Sequence, residues 1–448
     1  MNKLTVCLLS DAFPPIIDGV SHVVANYAEH IEKEWGHAIV ATPAHPDADD
    51  SALSFPVVRY PSIDTRGPTA GYMAGIPFSM ELINQLSRQR VDVLHAHSPM
   101  SSALLVRALH KRVQAPSIMT YHTRYDVDIA NVVQSKALQQ STIKSIVTNI
   151  SAFDEVWAVS TGAGENLRAN GYQGDYIVMP NGVDFERQKA DPLQVAKDTG
   201  SYDLPEGVPV LLFVGRLMWY KGIRIILDAL KALQDEGYDF RMVFVGSGGD
   251  EKEIKDYTRK LKLDGKVFFT GLIRDRNSLR SWYTRGDLFL LPSTFDSNPL
   301  VVREAAACDL ASVLIAGSSS SEGAVDGHNA YLIEEDAQSM AQLLRRLLKD
   351  PDHMKQTGEH AGDELYLSWE NAVIKAVERY RIVMELHKSG AYKAHRSFSD
   401  NLLATQGDMM YTITRIGRLL TRGANTGKKL YRTGKQKTKR VPKKALRD

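Results

Sequence analysis

The chain has 448 residues, 43% hydrophobic and 24% charged, with a formal net charge of +2; at about 150 residues per domain that is two or three domains, and the ordinary composition excludes a disordered or fibrous chain. No apolar run approaches the ~18 residues of a membrane span, and the run Leu4–Leu9, followed at once by Asp11, is too short for the core of a signal peptide. Two cysteines, Cys7 and Cys308, do not make a disulfide framework, so the reducing cytosol is the expected compartment.

Leu4–Leu9 reads as a buried strand, Asp11–Gly19 as a loop with two prolines, and Val20–Glu34 as a helix. Ala38–Ala41, Val91–His95 and Ser117–Thr120 read as further strands, with a helical period over Ala103–Arg112 between the last two. Glu155–Val159 and Tyr176–Met179 complete the first set. Short apolar strands alternating with helices imply a parallel sheet covered on both faces. Gln188–Gly207 is polar and holds several turn formers, so it reads as a linker. The pattern then restarts with strand Val210–Val214, a helix from about Gly222 to Glu236, and strands Phe240–Val245, Val267–Thr270, Leu288–Leu291, Ala311–Ile315 and Ala330–Ile333. The expected fold is therefore α/β, two doubly wound domains in tandem over 1–187 and 208–368. In such sheets ligands bind beyond the carboxyl ends of the strands, and two facing domains place the site in the cleft between them. No repeat of 20–50 residues is visible.

The strongest local signal is Gly215-Arg216-Leu217 followed by Lys221-Gly222, directly after strand 210–214. A helix N-terminus attracts anions, and two fixed cations beside it suit a nucleotide diphosphate. A second signal, Asp296-Ser-Asn298-Pro299-Leu300-Val301-Val-Arg-Glu304, runs from a strand end into a helix. Its spacing puts Asp296 in the loop and Glu304 in the first helical turns, so that both carboxylates can face one ligand, accepting from sugar hydroxyls, while loop amides near Asn298 and Leu300 cap a phosphate. A glutamate early in a helix is by itself ordinary; beside the Arg–Lys pair it reads as functional. Thr120-Tyr-His122-Thr-Arg124 closes strand 117–120, and spacing alone leaves His122 even between a substrate contact and a structural histidine. His95-Ala-His97-Ser98 is a similar pair, with no carboxylate or cysteine at ligand spacing to make a metal site. In Pro14-Pro15-Ile-Ile-Asp18-Gly19-Val20, Gly19 lets the backbone approach a ligand. Gly246-Ser-Gly248-Gly249 lacks dinucleotide spacing, and no Walker A sequence occurs. The acidic pairs Asp47/Asp49 and Asp126/Asp128 are assigned to no metal.

Taken together, the Gly-rich first loop, the strand-end His122, Gly215-Arg-Leu-x3-Lys-Gly222, Asp296-x7-Glu304 and Asn181-Gly-Val-Asp184 resemble the retaining family 4 glycosyltransferases over roughly residues 1–390. The resemblance implies a GT-B fold with the donor nucleotide in the C-terminal domain, and a helix near Trp369–Glu385, within 369–390, returning to the N-terminal domain. It implies that Arg216 and Lys221 bind the donor diphosphate and stabilise the leaving group, with Gly215 beside them. Glu304 would hold the ribose hydroxyls and Asp296 the transferred sugar, helped by amides over Asn298, Pro299, Leu300 and Val301. His122 would contact the sugar near its anomeric centre, Gly19 would approach from the other domain, and backbone groups near Gly271–Ile273 would meet the base. The family usually carries glutamate where this chain has Asp296, which leaves the donor sugar open. No cofactor and no metal are implied, the nucleotide sugar being a substrate. Thr120–Tyr125, His95–Pro99, Gly71–Pro77 and Val302–Ala307 are similar to bacterial α-glucosyltransferases that act on diacylglycerol and use UDP-glucose.

The charge is unevenly spread. Residues 391–448 hold 15 Lys and Arg against 3 Asp and Glu, leaving 40 against 50 in the acidic body. Met409, Ile413, Ile416 and Leu420 share one helical face, and a basic cluster follows to Arg447. That pattern suits binding of 409–447 to an anionic membrane surface and predicts a peripheral enzyme on the inner face of the cell membrane with a lipid acceptor. A soluble or polymer-bound glycan is the alternative acceptor. A non-catalytic sugar-nucleotide or nucleic-acid binder fits less well. The tail's aromatics are only Tyr392, Phe398, Tyr411 and Tyr431, no nucleic-acid fold signature occurs, and a pseudoenzyme is expected to have lost Arg216, Lys221 or Glu304.

Overall fold

The computed structural model describes residues 3–392, apart from 17, 65–71, 78–79 and 111. Residues 409–447, on which the membrane-surface expectation rests, lie outside the described residues. The strands are β1 (Leu4–Leu9), β2 (Gly36–Pro43), β3 (Val57–Tyr60), β4 (Ser62–Asp64), β5 (Met73–Gly75), β6 (Val93–Ala96), β7 (Ser117–Tyr121), β8 (Glu155–Ala158), β9 (Ile177–Val178), β10 (Val210–Val214), β11 (Arg241–Val245), β12 (Val267–Gly271), β13 (Leu288–Leu291), β14 (Ser312–Ile315) and β15 (Tyr331–Ile333).

Two wholly parallel sheets result, ordered β3-β2-β1-β6-β7-β8-β9 and β12-β11-β10-β13-β14-β15, with β4 and β5 forming a separate antiparallel pair. These are the two doubly wound α/β domains expected from the apolar runs, in the GT-B arrangement that the resemblance implies. The central strands are buried along their length, as in Val210–Val214 and Leu288–Leu291, because helices cover both faces. In each sheet the winding reverses beside the first strand, between β1 and β6 and between β10 and β13. A doubly wound sheet opens its ligand crevice at that switch point, beyond the carboxyl ends of the strands. Ser10 and Asp11 follow β1, His97 and Ser98 follow β6, Gly215 follows β10, and the Asp296 loop follows β13.

The segment 188–207 is more than a connector. It carries helix Pro192–Thr199, capped by Asp191 with proline in the first turn, and Ala190 N donates 2.9 Å to Thr284 Oγ1 of helix Arg276–Arg285. At the far end, Ser368 caps helix Trp369–Ser389, and Gly390, at φ 82°, ends it in the left-handed conformation that glycine adopts freely. Its buried face, Trp369, Ala372, Val373, Ala376, Val377, Tyr380 and Val383, has helical spacing and joins Val6, Leu8, Val24 and Trp157 in a core of the first sheet. The chain thus returns to its N-terminal half. Burying each large apolar side chain of this face contributes about 1.5–3 kcal/mol. Cys7 and Cys308 are both buried and free. No helix of the described residues is long and apolar enough to cross a membrane.

Candidate active site

The C-terminal side of the candidate site is built around β10 and β13. After β10 the chain turns through Gly215 and a short 3-10 turn, Trp219–Lys221, before helix Ile223–Asp235. The turn packs against the loop after β13: a Cβ on Gly222 (φ 75°) would lie 1.9 Å from Pro292 O, so only glycine fits there. That close approach brings Lys221 to Asp296. Lys221, 9% exposed, forms an ion pair with Asp296 Oδ1, while Asp296 Oδ2 is buried with no hydrogen-bond partner. Asn298 donates 2.9 Å to Val159 O at the end of the first sheet, and its Oδ1 is likewise buried and unpartnered. Helix Leu300–Ala307 begins at Pro299 without a side-chain cap, which leaves its amide dipoles available to an anion.

Gly215, Lys221, Asp296, Asn298, Pro299, Leu300 and Val301 line one cavity of about 230 Å³. The two carboxylates of the Asp296-x7-Glu304 run have different settings. Glu304 is 6% exposed and is not among the residues lining that cavity. Its Oε1 accepts from Arg276 Nη2 and its Oε2 from Tyr283 OH, each at 2.8 Å. A carboxylate has about four lone-pair sites, so each oxygen keeps one acceptor position. Gly271, at φ 77°, ends β12, and a Cβ there would meet nothing within 4 Å.

The N-terminal side faces this cavity with a different construction. Gly19 is the first residue of helix Gly19–His30, whose cap Asp18 takes Ser21 N at 2.6 Å. A Cβ on Gly19 would meet nothing within 4 Å, so the space beside it is open. Tyr72 OH donates 3.2 Å to Asp18 Oδ2. Arg216 is exposed, and its charge is felt by two groups of the other half. Burial raises the Asp128 carboxyl while Arg216 pulls it down. The Tyr72 phenol is pushed up to about 12, chiefly by burial, again with Arg216 opposing. Asp128 lies in the first turn of helix Tyr125–Val132.

His122 follows β7 and belongs to a chain of imidazoles. Its Nε2 is 3.0 Å from His97 Nδ1, and the His97 and His95 ring centroids are 4.0 Å apart. His95 bonds Tyr380 OH at 2.6 Å and Thr120 Oγ1 at 2.7 Å. Burial drives the His122 pKa down to about 3 and those of His97 and His95 well below their usual value, so all three are neutral at pH 7. His122 is thus a hydrogen-bonding group, not a cation. Tyr380 rises from the returning helix, so that helix fixes the column from behind. Sequence reasoning missed Tyr380, Arg276 and Tyr283, which carry no motif, and gave Tyr72 no role of its own although it lies in the Gly71–Pro77 run. The Asp126/Asp128 pair and Arg216 both stand out in the sequence, but the approach of Arg216 to Asp128 does not. Among the described residues, no group of three or more His, Cys, Asp or Glu side chains is arranged so as to hold a metal ion.

Residues 17–187 match the family model "Glycosyltransferase Family 4" and residues 195–363 the model "Glycosyl transferases group 1". The chain is 23% identical over 309 residues to an alpha-monoglucosyldiacylglycerol synthase of Streptococcus pneumoniae, covering 68% of this chain and 69% of that protein. It is 24% identical over 395 residues to a GDP-mannose-dependent alpha-mannosyltransferase of Corynebacterium glutamicum, covering 86% and 91%. The crystal structure of Anabaena HepE in complex with UDP superposes with a TM-score of 0.66 at 18% identity, covering 84% of this chain and 99% of that one.

Proposed function

Because the chain belongs to the family 4 glycosyltransferases, we propose that it moves a hexosyl group, with retention, from UDP-glucose to a hydroxyl of a membrane lipid such as diacylglycerol, giving an α-glycoside. One observation carries the donor half of this reading: a single cavity holds a buried ammonium (Lys221), an uncapped helix start at Leu300, and two buried acceptors without donors, Asp296 Oδ2 and Asn298 Oδ1. An unpaired buried acceptor costs about 1–3 kcal/mol, and sugar hydroxyls supply the missing donors. Lys221, Arg216 and the helix start take the diphosphate. Glu304, held by Arg276 and Tyr283, offers its remaining lone pairs to the ribose. Gly215 and Gly271 let the backbone approach the nucleotide, and Gly19 does so from the facing domain.

The reaction follows from charge development. As the bond between the anomeric carbon and the phosphate oxygen breaks, negative charge grows on the departing UDP and positive charge on the sugar. Preorganised cations and amide dipoles lower that barrier without reorganising at the moment of reaction. The acceptor oxygen attacks from the leaving-group face and its proton passes to the departing phosphate oxygen. Neutral His122 orients the sugar through a hydrogen bond. The acceptor half of the reading is supported by the glucolipid synthase among the relatives and by the basic stretch 409–447.

A thermal-shift screen of UDP-glucose, UDP-galactose, UDP-N-acetylglucosamine and GDP-mannose tests the donor, and assay of the winner with diacylglycerol in anionic vesicles tests the acceptor. UDP-glucose is expected to give the largest shift and a glucolipid product. Turnover with a soluble glycan and none with lipid overturns the acceptor assignment. Deleting 401–448 is expected to abolish sedimentation with anionic liposomes; unchanged sedimentation removes the tail from the account.

A further inference from the structure

A second cavity, of about 270 Å³, lies where the two halves join behind the donor site. Its walls come from the ends of β8 and β9, from helix Leu300–Ala307, from the 319–324 turn, and from the segment entering the returning helix. Four charged groups face it: Arg303, Lys375, Glu322 and Glu364. Both carboxylates are already engaged. Glu322 accepts from Thr161 N at 2.6 Å and Thr161 Oγ1 at 2.7 Å, and Glu364 from Asn329 Nδ2 at 2.7 Å with His328 Nε2 at 2.8 Å.

The cations are in a different state. Arg303 makes one hydrogen bond among the described residues, from Nη1 to Leu365 O at 2.8 Å, leaving most of the five donors of its guanidinium unused. No carboxylate among the described residues lies within the 4.0 Å of an ion pair, and burial pulls its pKa down against the opposing charge of Glu322. Arg303 is half-buried, and taking a guanidinium out of water without a counter-ion is costly. Lys375, exposed on the returning helix, reaches the same space. Asn298, whose Oδ1 lacks a donor, lines this cavity as well as the donor cavity.

The geometry points to a second ligand site at this junction, for a small phosphate- or carboxylate-bearing anion held by Arg303 and Lys375. The volume falls just below the range of about 300–1,000 Å³ typical of drug-sized ligands, which suits a small hydroxylated phosphate or acid. Arg303 belongs to the second domain, while Lys375 sits on the helix packed against the first. The ligand therefore ties the two halves together and favours the arrangement seen here, since whatever binds one state stabilises it.

Inorganic phosphate, titrated at constant ionic strength, is the probe, with acetate as the carboxylate arm. Because phosphate also suits the donor site, the titration uses full-length chain carrying Lys221→Ala. Phosphate is expected to raise the melting temperature of this chain. Adding Arg303→Gln is expected to weaken the apparent affinity about tenfold and Lys375→Met about threefold, as loss of charge-assisted hydrogen bonds implies. If Arg303→Gln does not fold, the Lys375→Met titration decides alone. A phosphate response left unchanged by these substitutions, or absent from the Lys221→Ala chain, overturns the site. Acetate acting as phosphate does assigns the site to carboxylates as well; acetate without effect restricts it to phosphates.

Discussion

The two halves of the cleft are built by opposite means. On the C-terminal side, Gly215–Gly222 and Asp296–Glu304 are short runs whose own turns and helix starts build the cavity proposed for the diphosphate. On the N-terminal side, His122 depends on His97, His95 and Tyr380, and His95 and Tyr380 are 285 residues apart in the chain. Binding a diphosphate needs amides, a cation and a helix start, which local sequence can supply. Holding a neutral imidazole in one orientation needs packing from several elements, which only the tertiary fold can supply.

This contrast can be broken in several places. The largest effect is expected from Lys221→Ala or Arg216→Ala, each lowering kcat by roughly 10²–10³, as for removal of a preorganised charge stabiliser; steady-state turnover with the identified donor checks it. Next, His97→Phe leaves His122 Nε2 without its partner and is expected to lower kcat about 10–100-fold, in line with about 1–3 kcal/mol for an unsatisfied buried group. UDP affinity measured by calorimetry should stay within about twofold. Equal losses in both quantities would place His97 in general folding, not in positioning.

The imidazole column also predicts a pH dependence of stability. The folded pKa values of His95, His97 and His122 are depressed, so below about pH 6.5 the unfolded chain binds protons that the folded chain refuses. The penalty is absent above that value and grows as pH falls, by about 1.4 kcal/mol per pH unit per histidine below about pH 6, continuing for His122 down to about pH 3. Urea melts at pH 7.5 and 5.5 should show the wild type losing stability more steeply than His97→Phe; parallel slopes would sink the idea. The smallest effect is expected at the domain junction. Glu322→Gln weakens the hold on Thr161 N and Oγ1 and should cost about 1 kcal/mol in a thermal melt, typical of a capping contact.

The same contrast explains what could be read from the sequence. Strands β10 and β13 are recovered to the residue, because wholly apolar runs between turn formers mark buried parallel strands. β3 was missed, since four residues including Arg59 carry too little pattern. Helix Pro192–Thr199 was hidden in a polar stretch, although Asp191-Pro192 is a helix-start signal. Asp296 and the lining residues from Asn298 to Val301 follow from one motif. The burial of Glu304 behind Arg276 and Tyr283 does not, because those partners lie 28 and 21 residues away on another helix.

A crystal of the full chain soaked with UDP-glucose tests the central claim most directly. The account predicts diphosphate density at Lys221 and the start of helix Leu300–Ala307, with sugar hydroxyls on Asp296 Oδ2 and Asn298 Oδ1. Nucleotide density on another surface, with that cavity empty, would contradict it.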